Sequence, residues 1–320
     1  NSYNKNYELI IDPVLIFSSY SGSNADNWGY TATYDLSGNL YAGGNAFNVG
    51  YPVTLGAFQT NFAQGVCDIA ISKFNSNGSN LVYSTYLGGS GSEVPHSLIV
   101  NKQGELFVYG TTGSANFPMA GNSFDNTFNG GTNFSLTNII SFPNGSDIIV
   151  AKFNSAGTQL LASTFIGGSG NDGLNMFTPL RHNYADDCRG EIMLDENDNV
   201  YIVSTTASTN FPVTAGSFQP TYGGGSLDGC IVKLDNSLSN IIWASYLGGS
   251  GIDAIYSISL DKNENLIVGG GTTSNNFPTT PNAIRSTYQG GSADGFITRI
   301  DKNGIAIIRS TYWGTSSYDQ

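Results

Sequence analysis

The chain has 320 residues, of which 39% are hydrophobic but only 11% charged, and its formal net charge is −12. That acidic balance argues against binding to nucleic acid or to an anionic membrane, both of which need a basic footprint. No uninterrupted apolar run is long enough to span a bilayer, so no transmembrane segment is expected.

Polarity comes from Asn, Ser, Thr and 41 Gly, alongside 18 Tyr and 18 Phe. This mix of turn formers, β-branched residues and aromatics favours short strands joined by tight turns. In chain order, residues 1–13 read as the end of a preceding domain or linker, and VLIFSSY (14–20) as an outer strand. A unit of alternating strands follows in GYTATYD (29–35), NLYAGGNA (39–46), DIAISKFN (68–75) and NLVYSTYL (80–87). The second unit has HSLIVN, ELFVYGT, DIIVAKFN and QLLASTFI within 96–166. The third has GEIMLDE, NVYIVSTT, DGCIVKLD and NIIWASYL within 190–247. The fourth has IYSISLD (255–261), NLIVGGGT (265–272), DGFITRID (294–301) and IAIIRSTYW (305–313), with WGTSSYDQ after it. Apolar and polar residues alternate in these segments, as in half-buried strands. Pro52, Pro118, Pro212 and Pro278 stand at one place in each unit, opening the loop between second and third strands, since proline cannot donate to a ladder.

A glycine string links the units: LGGSGSE (87–93), IGGSGND (166–172) and LGGSGID (247–253). Alone it matches the G-G-x-G-x-D signature of calcium-binding β-helices, but there it recurs about every nine residues so that adjacent turns complete each site. Here Gly88, Gly167 and Gly248 stand 79 and 81 residues apart, so the string marks a long repeat. Its Asp172 and Asp253 are expected to bond nearby backbone amides, with the glycines supplying positive φ. Repeated four-strand antiparallel units describe an all-β fold, a β-propeller of four-stranded blades. The blades are expected at about 28–87, 94–166, 174–247 and 254–313, with a further one starting at 314–320. Residues 14–320 would then belong to a larger ring of about six to eight blades, its last blade sealed by the strand at 14–20.

The strings S-T-Y-L-G-G-S-G-x-D, D-x-x-G-N-L, T-T-x-S-x-x-F-P-x-T and G-A/S-F-Q, in four copies, resemble the SBBP β-propeller repeat family. The resemblance implies large secreted or surface-displayed proteins, frequent in Bacteroidota and often cargo of the type IX secretion system. The chain is therefore expected to act outside the cell or on its surface, exported through a signal upstream of it.

Consecutive strands alternate in direction, so turns after the first and third strands share one side and the longer connections share the other. Two insertions, TNFSLTNIISFP (132–143) and GLNMFTPLRHNYADDC (173–188), fall on that long-loop side, the second as a lengthened glycine-string loop. Binding residues concentrate on loops held by rigid scaffolds. The candidate binding residues are Arg181, His182, Tyr184, Asp186, Asp187, Arg189 and Glu191, dense in charge for so uncharged a chain. The competing reading is a solvated insertion held by local Arg–carboxylate pairs, which contribute little.

DENDNV (195–200) and DKNENL (261–266) begin like calcium loops but lack the closing Glu, and read better as hairpin turns. No cofactor or metal is expected, calcium being the lesser reading. Cys67, Cys188 and Cys230 lack metal-like spacing and read as buried free thiols or one incidental pair. His96 and His182 sit in no recognisable catalytic context, so no enzyme is expected, and a propeller enzyme stands last of three readings. What remains is a protein-interaction or display module, meeting a protein of the outer membrane or cell surface. The alternative is a lectin-like binder of a surface glycan. A glycan site should show Tyr or Trp in a concave pocket, and an interaction module a broad, partly apolar patch.

Overall fold

A computed structural model describes residues 14–320 except 137 and 184. The expected preceding domain or linker at 1–13 lies outside these described residues. The described residues form four four-stranded antiparallel sheets and one two-stranded sheet. The first sheet holds β1 (Asn27–Tyr34), β2 (Leu40–Ala46), β3 (Asp68–Phe74) and β4 (Leu81–Leu87). The second holds β5 (Glu93–Val100), β6 (Leu106–Thr112), β9 (Asp147–Phe153) and β10 (Leu160–Ile166). Between β6 and β9 the chain makes a hairpin, β7 (Phe134–Leu136) with β8 (Ile140–Phe142). The third sheet holds β11 (Glu191–Leu194), β12 (Val200–Thr206), β13 (Asp228–Leu234) and β14 (Ile241–Leu247). The fourth holds β15 (Asp253–Leu260), β16 (Leu266–Thr272), β17 (Asp294–Ile300) and β18 (Ile307–Trp313). In each sheet the order follows the chain, the meander of a β-propeller blade.

The core lies between sheets. Ile69 and Ile71 of β3 pack with Leu98, Val108 and Ile149 of the second sheet. The other face of that sheet, through Tyr109, Ile148 and Val150, packs with Ile192, Ile202 and Val232 of the third. Tyr201, Val203 and Ile231 then meet Ile255, Val268 and Phe296 of the fourth. Inner sheets are therefore covered on both sides, and β6 and β12 are buried at every position. Such strands read as continuous apolar and β-branched runs (LFVYGTT, VYIVSTT), as sheets buried on two faces do. The first strands are innermost: β1 lies beside β5, β5 beside β11, and β11 beside β15.

The tight turns hold themselves. Asp195 Oδ1 accepts the amides of Asn197 and Asn199, both at 2.9 Å, and Asp261 Oδ1 accepts those of Asn263 (2.7 Å) and Asn265 (3.0 Å). Asp198 and Glu264 take φ near +60° beside them, so both calcium-like strings are hairpin turns.

The segment 14–20 carries no strand here, and the last blade that it was expected to seal is not among the four sheets. Its Phe17 ring instead lies 6.4 Å from that of Phe74. At residues 314–320, where a further blade was expected to start, Asp319 accepts the Thr315 amide at 2.7 Å, the same i to i+4 bond made by the glycine strings.

Candidate functional site

The site is built from irregularities in the innermost strands. The ladder slips between Gly29 and Thr31, between Pro95 and Ser97, and between Ile255 and Ser257. Tyr30, His96 and Tyr256 are thus the extra residue of a β-bulge at one place in three blades, and a bulge re-aims its side chain. The third blade carries more at that place. Asp172 bridges Thr206, the Gly173 amide donates to Thr205 O at 2.9 Å, and the ladder resumes at Glu191 opposite Val203. The second insertion therefore splits the innermost strand at the bulge and emerges near the axis. The sequence suggested a lengthened connecting loop. The difference arises because Gly173, although laddered, looks like loop.

The insertion is a folded plug. Leu174 and Cys188 pack with Leu136, Ile140 and Phe142 of the β7–β8 hairpin, so the two insertions meet. Leu180 packs on Ala254 and Ala293 of the fourth blade, and the Tyr256 hydroxyl donates to Leu180 O at 3.1 Å. Asp186 is fully buried. Its Oδ2 accepts the amides of His182 (3.0 Å) and Asn183, and Arg189 Nε lies 3.1 Å from its Oδ1. That approach is an ion pair and not a hydrogen bond, so Oδ1 has no hydrogen-bond partner.

Beneath the plug lies a cleft of about 510 Å³ to which all four blades contribute, through Tyr30, His96, Glu191 and Tyr256 among others. Glu191 Oε2 accepts the Ser257 hydroxyl and the Ile258 amide, both at 2.8 Å, tying the third blade to the fourth. The Arg189 guanidinium lies 5.4 Å from the centre of the Tyr256 ring, within reach of a cation–π contact. Burial pushes the His96 imidazole down to about 3, so the ring is neutral. Its Nε2 lies 3.0 Å from Thr111 Oγ1, while Nδ1 is buried without a partner. A second pocket of about 230 Å³ adjoins through Tyr30 and Ala185 and adds Trp28, Arg181 and Asp187.

Of the residues chosen from sequence, Arg189 and Glu191 line the cleft, and Arg181 and Asp187 the adjoining pocket. Asp186 holds the plug together. The exposed His182 meets the Tyr318 ring at 4.3 Å, and Tyr184 lies outside the described residues. Trp28, Tyr30 and Tyr256 were missed, and His96 was assigned only a structural place. A signal existed: a ring-bearing residue followed by Ser or Thr (Tyr30-Thr31, His96-Ser97, Tyr256-Ser257) at one place in three units. Among the described residues no three His, Cys, Asp or Glu side chains are gathered to hold a metal. The three cysteines are buried free thiols.

The glycine strings are structural. Asp172 Oδ2 accepts the Gly168 amide and the Ser208 hydroxyl, both at 2.8 Å, and its Oδ1 accepts the Thr206 hydroxyl. Asp253 repeats this with Gly249, Ser274 and Thr272, and Glu93 with Gly89, Ser114 and Thr112. The Asn of each N-F-P segment (Asn116, Asn210, Asn276) accepts the amide of the string's serine at 2.8–2.9 Å. The two signatures thus lock each blade to the next.

Fold and repeat together define a β-propeller. Residues 242–278, from β14 across the glycine string to the N-F-P segment, match the family model of the SBBP beta-propeller repeat, so the chain carries that repeat. No curated protein matches. Among solved structures, a protein of unknown function from Dyadobacter fermentans DSM 18053 aligns at 10% identity and TM-score 0.47, over 93% of this chain and 71% of that one. The NanB sialidase from Streptococcus pneumoniae aligns at 10% identity and TM-score 0.50, over 93% of this chain and 53% of the sialidase. At that identity the likeness concerns the fold alone.

Proposed function

We propose that this chain is a non-enzymatic binding propeller of the cell exterior that takes a saccharide in its axial cleft. The observation that carries the reading is the concave site itself: Tyr30, Tyr256 and Trp28 as ring platforms, set among Arg189, Glu191 and Ser97. Rings that offer an apolar face beside hydrogen-bonding groups suit the alternating CH and OH faces of a sugar. The pocket volume is in the range of small-molecule sites, about 300–1,000 Å³. The low charge and the SBBP repeat support a secreted or surface setting, as an adhesin or as type IX secretion cargo of a Bacteroidota cell.

A protein-display role is the second reading, favoured by the exposed Ile284, Ile297, Ile305 and Trp313 on the fourth blade. A glycan array followed by calorimetric titration separates the two. We expect one carbohydrate class to bind, and Tyr30→Ala and Arg189→Ala to weaken it at least tenfold with circular dichroism unchanged. Binding unaffected by both variants would remove the cleft. Silence on the array, with a stoichiometric envelope protein recovered by pull-down, would put display first.

A further inference from the structure

Each junction between blades buries two carboxyl groups against one glycine. At the first, a Cβ added to Gly88 would lie 2.5 Å from both Asp68 Oδ1 and Glu93 Oε2. At the second, one on Gly167 would lie 2.7 Å from Asp147 Oδ1 and 2.9 Å from Asp172 Oδ2. At the third, one on Gly248 would lie 2.5 Å from Asp228 Oδ1 and 2.9 Å from Asp253 Oδ2. All six acids are 0% exposed. Asp68, Asp147 and Asp228 open the third strand of one blade, and Glu93, Asp172 and Asp253 close the glycine string leading into the next.

The outward oxygens are supplied with donors. Oδ2 of Asp68, Asp147 and Asp228 accepts the amide of Ala63, Asn129 or Gly223. The string acids each accept one amide and two hydroxyls, as described above. The inward oxygens differ: Asp68 Oδ1 and Asp228 Oδ1 have no hydrogen-bond partner, and Asp147 Oδ1 has only the Gly130 amide at 3.0 Å. What faces each pair is neutral or acidic. Around Asp68 and Glu93 stand Asn45, Gln59 and the Cys67 thiol. Asp125 acts on Asp147, Tyr246 and Cys230 look on Asp172 and Asp228, and Tyr222 and Tyr312 look on Asp253. No Lys, Arg or His stands among the groups that act on these pairs. Asp294 is different, because Arg285 acts on it.

Two buried carboxylates side by side, without a cation, cannot both stay ionised. We propose that each of the three blade junctions holds one proton, shared by its two acids, which supplies the hydrogen bond that Asp68 Oδ1 and Asp228 Oδ1 lack and a second one to Asp147 Oδ1. A divalent ion is the poorer occupant, since calcium takes about six to eight oxygens and most oxygens here already face N–H or O–H donors. Burial pushes all six acids up. Asp147 and Asp228 reach about 8, each raised further by the carboxylate of its partner. Asp68 and Glu93 rise as a pair, so the proton belongs to both.

The sign follows from linkage. An aspartate raised in the folded state above its ordinary 3.8 binds its proton more tightly there than in the unfolded chain. The stability it contributes is complete below about pH 4 and is lost as pH climbs through about 8. The molecule should hold together in mild acid and loosen at its blade junctions in mild alkali.

The test is urea unfolding of the whole chain across this range, in EDTA and in calcium, with infrared detection of protonated carboxyl groups at neutral pH. We expect the urea midpoint to fall as pH rises from 6 to 9, and a protonated-carboxyl band at pH 7. Asp228→Asn places a permanent N–H donor before Asp253, so it should flatten the pH slope and weaken the band. A flat midpoint with no band would overturn the proposal. A midpoint raised by calcium, with the band absent, would overturn it in favour of a cation. Should Asp228→Asn not fold, the band of the native chain decides alone.

Discussion

Gly88, Gly167 and Gly248 show how a residue can be read for the right place and the wrong reason. None takes positive φ, so left-handed freedom is not what they supply. They are glycines because a methyl group would stand against two buried carboxyls. Gly167→Ala should accordingly cost about 1–3 kcal/mol, a typical price for overpacking a closed interior, measured by urea unfolding against Gly29→Ala as control. Gly29 also avoids positive φ but has nothing within 4 Å of an added Cβ, so the comparison isolates the steric effect. An equal loss at both positions would deny the carboxyl contact its role. The bonds of Asp172 and Asp253 to backbone amides were legible, since a short acid near glycines has few other partners. The second acid at each junction was not, because it lies 25 residues away along the chain and only folding brings it near.

At the scale of elements, strands were the easiest part to read. Alternation, turn residues and a fourfold repeat all pointed one way, and consistency of that kind specifies structure. The bulges were hidden, since one extra residue leaves no gap in the pattern and only shifts its phase. For the same reason the insertion was placed in a loop, although it leaves from within a strand. Its charged residues were visible as a cluster, but their division between Asp186 inside the plug and Arg189 at the cleft depends on burial. Removing 174–189 and rejoining Gly173 to Gly190 through two glycines should leave the four sheets intact by circular dichroism. It should cost a few kcal/mol, because Leu174 and Leu180 are fully buried and each is worth about 1.5–3 kcal/mol. Any saccharide bound in the cleft should be lost with it. A deletion that retained full affinity would show that the plug is not part of the site.

At the scale of the molecule, the second and third sheets are covered on both faces, whereas β1 has no buried position and β16 and β17 each carry an exposed one. Protection should follow that gradient. In hydrogen exchange, amides of β6 and β12 should exchange last and those of β1 and β18 first. Uniform protection across the four blades would mean that the outer sheets are covered in solution. The blade architecture was legible because it repeats; the axial cleft was not, since it belongs to no single repeat and arises where four of them converge. The split strand has one more consequence. Gly173 and Glu191 are held to Thr205 and Val203 of β12 whatever lies between them, so the segment they bracket can be exchanged without disturbing the frame. On the proposed saccharide reading, chains that differ only there would take different ligands on one scaffold, as antibodies do with their hypervariable loops, which makes the bracket a natural graft point.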